Sequence, residues 1–148
     1  MMVTPAEAWQ TLERLAFTDA FPAAATLTWT QAAYEALLAA RETDDFAGPW
    51  TQAYARSQAA CSPLVAEPGT QARLARVREY VFKRVYTHTQ VADLASYVSD
   101  DLDLLLRYVR TGLPSPWVNT LWRGYQQGTI PSGRLPETAG ELTELIGA

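Results

Sequence analysis

Between Thr70 and Arg110 the chain carries two consecutive apolar stripes at helical spacing, and nothing else in it constrains the fold as tightly. Leu74, Val77, Val81 and Val85 form the first, widened by Ala75 and Phe82. Val91, Leu94, Val98, Leu102, Leu105 and Val109 form the second, extended sideways by Tyr97, Leu104 and Tyr108. Apolar residues recurring at i, i+3, i+4 and i+7 share one face of an α-helix. Between the stripes, Thr87-His88-Thr89-Gln90 reads as a capping box, in which a threonine hydroxyl and a glutamine side chain occupy the free N–H groups of a helix start. The spacing predicts helices over 70–86 and 88–110, folded as an antiparallel hairpin. An apolar face as wide as the second one implies contact with more than one neighbour.

The flanking segments carry the same kind of signal. Thr4-Pro5-Ala6-Glu7 is a capping box with proline at the first helical position, and a helix is expected from Pro5 to about Phe17 with Trp9, Leu12, Leu15 and Ala16 inward. Thr28-Trp29-Thr30-Gln31 predicts a second helix start, running to about Arg41 with Trp29, Ala33, Ala36, Leu37 and Ala40 inward, and Glu42-Thr43-Asp44-Asp45 closes it. A third helix is expected from about Pro49 to Cys61, then a proline-bounded loop from Ser62-Pro63 to Pro68-Gly69. Ser115-Pro116 opens another helix that ends near Gly128, and Glu137 to Ile146 reads as a short last one. No β-type alternation of useful length is present. The expectation is an all-α, single-domain (1–148) irregular bundle of about six helices around the 70–86/88–110 hairpin.

Composition narrows the function classes. At 148 residues the chain can bury a core without disulfide or metal. Cys61 is the only cysteine and His88 the only histidine, so neither an internal disulfide nor a three-histidine metal site can form within one chain. A cofactor-free, metal-free protein is expected, in a reducing, cytoplasmic setting. No apolar run approaches the ~20 residues of a membrane span, and no signal-peptide pattern opens the sequence. The abundance of alanine and of arginine over lysine suggests a GC-rich bacterial coding sequence.

The net charge of −4 disfavours general nucleic-acid binding. The charge is unevenly spread, however. Arg73, Arg76, Tyr80, Lys83 and Arg84 fall on the outer side of the 70–86 helix, a candidate face for an anion or an acidic partner. A solvated face, or one paired with the acids of the next helix, is the simpler reading of such a stripe. Arg78 and Asp101 fall instead on the inner faces of the two hairpin helices, and the hairpin register predicts that they form a buried or half-buried ion pair. The aromatic segment Trp117–Tyr125 supplies Trp117, Trp122 and Tyr125 as candidate interface anchors, if they are not core.

No catalytic motif is legible: there is no G-x-S-x-G, no P-loop and no cysteine signature. The resulting expectation is a bacterial helical protein acting non-enzymatically through protein–protein contact, with a homodimer as one form of it. Two alternatives stand beside it. One is a nucleic-acid-binding regulator, using a helix-turn-helix-like segment over 88–107 or the basic face of 70–86. In the former, Ser99 would cap a second short helix, but Asp100, Asp101 and Asp103 would face phosphate at its start. The other is a small enzyme or anionic-ligand binder with Arg78 and His88 in one pocket.

Overall fold

A computed structural model describes residues 2–61 and 68–147. Among these residues it contains seven α-helices and no strand. They are α1 (Pro5–Phe17), α2 (Gln31–Arg41), α3 (Asp44–Cys61), α4 (Pro68–Thr89), α5 (Ala92–Thr111), α6 (Pro116–Gln126) and α7 (Leu142–Gly147), with a 3-10 turn at Ala24–Thr28. No helix among them is long and apolar enough to cross a membrane. The loop expected at Ser62-Pro63 lies outside the described residues.

The all-α hairpin bundle is the observed architecture, and α5 is its axis. Helices α1, α2, α3, α4, α6 and α7 all pack on it, most extensively α4. Consequently the six consecutive residues Asp101 to Leu106 are all buried. A helix surrounded on every side is apolar around most of its circumference. Here the exceptions, Ser99, Asp101 and Asp103, are polar and buried, so each must find a partner inside the protein. The α4 stripe of Leu74, Val77, Val81 and Val85 is buried against α5 as its spacing predicts.

Several boundaries differ from the sequence reading, each for a local reason. The α4–α5 turn falls at Gln90 rather than at Thr87. Gln90 adopts a left-handed φ of 59°, and its side-chain amide donates to the carbonyls of Tyr86 and Thr87 at 3.2 Å, closing α4. Thr89 acts there too, donating to Val85 and accepting from the Val91 N–H. Helix α4 also begins earlier than expected, at Pro68. Thr30, not Thr28, caps α2 by accepting from Ala33 N–H at 3.1 Å. The inner face of α2 is Tyr34, Leu37 and Arg41, about 90° round the helix from the expected one, leaving Ala33 and Ala36 exposed. Helix α3 starts at Asp44, with Thr43 carbonyl accepting from Ala47 N–H at 2.8 Å. Asp44 and Asp45 thus open a helix instead of closing one, which suits carboxylates at the positive end of the helix dipole. Pro49 lies inside α3, and the last helix is confined to Leu142–Gly147.

Candidate functional site

Arg41, the last residue of α2, turns inward on the same face as Tyr34 and Leu37 and is only 5% exposed. A guanidinium so placed needs an anion, and α5 supplies Asp101, which is 0% exposed. The two meet side by side: Nη1 lies 2.8 Å from Oδ2 and Nη2 lies 2.7 Å from Oδ1. This two-point geometry is the strongest form of a protein ion pair. Asp101 also accepts from Trp50 Nε1 of α3 at 2.9 Å and from the Tyr125 hydroxyl of α6 at 2.5 Å. Arg41 Nη1 further donates to the Pro131 carbonyl at 3.0 Å. One carboxylate thereby ties α2, α3 and α6 to α5.

Burial works against the Arg41 charge, but Asp101 more than offsets it, so the guanidinium holds its proton more tightly than usual. Burial first, then the neighbouring carboxylate, pushes the Tyr125 hydroxyl well above the ordinary tyrosine range and keeps it a donor. The guanidinium also lies over aromatic rings, 4.3 Å from the Phe46 centroid and 5.1 Å from that of Tyr97.

The outer side of this network is a cleft of about 320 Å³ between the end of α2, the first half of α3 and α5. Its walls are Phe46, Trp50 and Tyr97, with Arg41 behind and Glu42 and Asp100 at the rim. That volume is at the small end of ligand pockets, suited to a few inserted side chains as well as to a small molecule.

The expected Arg78–Asp101 pair does not form. Arg78 is half-buried on α4 and bonds Asp100 at 2.5 Å and Asp103 at 3.4 Å, with Ser99 at 3.4 Å from its Nε. The hairpin register was right to about one residue, but on a helix one residue is a 100° rotation. Asp100 therefore faces α4, while Asp101 faces α2, α3 and α6.

The basic residues of α4 are largely engaged within the chain. Arg73 pairs with Glu13 at 2.5 Å and Lys83 with Glu79 at 2.6 Å. The Tyr80 hydroxyl donates to Asp19 at 2.7 Å, and Arg84 donates to the Pro22 carbonyl at 2.8 Å. Arg76 is exposed.

Trp122 and Tyr125 are core residues, 3% and 4% exposed, and Trp117 is half-buried against Phe46 with ring centroids 5.4 Å apart. A dimer face built on these three loses its basis. The helix-turn-helix reading over 88–107 is corrected as well, because α5 runs unbroken through Ser99, whose hydroxyl bonds the Arg78 carbonyl. His88 is exposed near the end of α4, some ten residues and about 15 Å of helix from Arg78, so the two share no pocket. Among the described residues there is no group of three or more His, Cys, Asp or Glu able to hold a metal ion.

Arg41 was the residue that sequence reasoning missed. Its signal is the Tyr34, Leu37, Arg41 spacing, which competes with the alanine-rich face of the same helix.

These features define a small all-α protein with a rigid polar core and a shallow aromatic cleft beside it. The family model described as immunity protein PIM1 matches residues 11–132, well over half of the 148 residues and inclusive of the Asp101 network. The chain belongs to that family. No curated protein and no solved structure matches it.

Proposed function

We propose that this chain is an immunity protein that protects its host by binding a toxin, through protein–protein contact and without catalysis. The family match over residues 11–132 carries the reading. Toxin–immunity pairs are among the tightest protein complexes, which favours an immunity protein whose binding surface is preorganised. The Asp101 network supports this, because it fixes α2, α3 and α6 against α5 directly beneath an open cleft. A cytoplasmic site of action fits a chain whose single cysteine cannot form an internal disulfide.

Host growth is the test. The product of the gene beside this chain's own, expressed alone in a bacterial host, should arrest growth as a toxin does, and co-expression of the chain should restore it. Arrest that persists at full expression of the soluble chain contradicts the reading.

A further inference from the structure

Glu42 stands where a helix disfavours an acid. It is the C-cap of α2, at the negative end of the helix dipole. It is exposed, and no ion pair engages it among the described residues; it accepts the Tyr97 hydroxyl at 3.3 Å. Asp93, in the first turn of α5, is exposed and equally without an ion pair there. It lies near enough that, after burial and Glu42, its charge adds to the upward push on the Tyr97 hydroxyl. The nearby cations are already committed: Arg41 to Asp101, and Arg78 to Asp100 and Asp103. Asp44 and Asp45 follow closely in the chain, where the N-terminus of α3 accounts for them. Glu42 has no such structural return.

Glu42 lines a cleft whose walls are the rings of Phe46, Trp50 and Tyr97, and Asp93 stands about one helical turn before Tyr97 on α5. Rings for the stem of a long side chain and carboxylates for its charged end are what a lysine or arginine requires. Arg41 also lines the cleft, and its guanidinium, lying over the Phe46 and Tyr97 rings, holds them in place as walls.

We propose that this cleft is the docking site for a basic segment of the toxin, with a lysine or arginine seated between Glu42 and Asp93 and its stem against Tyr97 and Trp50. The assignment rests on the immunity reading. It adds that the recognised surface of the toxin is positively charged, so that the acidic chain is steered onto it.

The test uses the full chain and the neighbouring gene product whose growth arrest it relieves. Three chains are compared for binding: wild type, Glu42→Lys with Asp93→Lys, and Tyr80→Ala with Tyr86→Ala, two exposed rings of α4. The charge reversal is expected to weaken binding by about tenfold or more, while the α4 pair stays near wild type. Wild-type affinity should also fall as salt is raised from about 0.05 to about 0.5 M. Hydrogen exchange on the unmodified complex is a readout that does not depend on how the variants fold, and slowed exchange over residues 42–51 and 93–100 is expected. If the wild type binds but protection falls on 76–86 instead, or the charge reversal binds as well as wild type, the cleft is not the site although the immunity reading stands. If the wild type neither binds nor rescues growth, both fall.

Discussion

Arg41 and Asp101 are 60 residues apart in the chain and joined by two hydrogen bonds of 2.8 and 2.7 Å, with side chains 3% and 0% exposed. Removing one partner of such a pair leaves the other charged and buried. Asp101→Asn is therefore expected to cost about 3–5 kcal/mol, read as a lowered denaturation midpoint in urea. Replacing both, Arg41→Met with Asp101→Leu, should recover a substantial part of that loss, because the desolvation of two ions is then no longer required. A loss below about 1 kcal/mol for Asp101→Asn would show that the pair does not hold the helices together.

Arg78 supplies the contrast. Its side chain is 36% exposed and its nearer partner Asp100 is 40% exposed, while the buried Asp103, 3.4 Å away, keeps Arg107 at 2.9 Å. Solvent screens the Arg78–Asp100 pair, so Arg78→Ala should cost about 1 kcal/mol or less in the same urea assay. A cost equal to that of Asp101→Asn would point to the pairing that the hairpin register first suggested.

Tyr125 predicts an alkaline signature. Burial, then the Asp101 carboxylate, raises the pKa of its hydroxyl, so the folded protein keeps a proton that the unfolded chain releases above about pH 10. Above that pH the unfolded state binds fewer protons, and stability falls as pH rises; below it the contribution is complete. In a series of urea melts, wild type should lose stability above about pH 10 more steeply than Tyr125→Phe. At neutral pH the same variant should be less stable by about 1.5–3 kcal/mol, the usual worth of a hydrogen bond to a charged group. Parallel alkaline slopes would contradict the assignment.

Gly124 tests how closely α6 approaches the segment after it. A Cβ at this position would collide with the Pro131 ring, whose carbonyl accepts from Arg41. Gly124→Ala is expected to lower stability by about 1–3 kcal/mol, as overpacking does. An unchanged melting temperature would mean that this segment yields at no cost.

Much of the fold was legible because apolar periodicity is a strong signal over long helices. The stripes of α4 and α5, and the Thr4 capping box with its Glu7 partner, are read directly from residue type and spacing. The failures are failures of rotation. Preferring the alanine-rich face of α2 turned its inner stripe by about 90° and hid Arg41. Choosing Asp101 over Asp100 as the partner of Arg78 misplaced one carboxylate by a single residue. Buried ion pairs depend on which of several nearby residues faces which neighbour, and apolar spacing alone does not settle that. Trp122 and Tyr125 posed a related ambiguity, since aromatic residues serve cores and interfaces alike and only packing separates them.

The affinity of the purified chain for the purified product of the neighbouring gene, measured by titration calorimetry, tests the account most directly. A complex with a dissociation constant in the nanomolar range or tighter is expected, on the order of −12 kcal/mol or more favourable, weakened by Glu42→Lys with Asp93→Lys. Absence of any binding heat at micromolar concentrations, with both proteins folded and at more than one temperature, would contradict it.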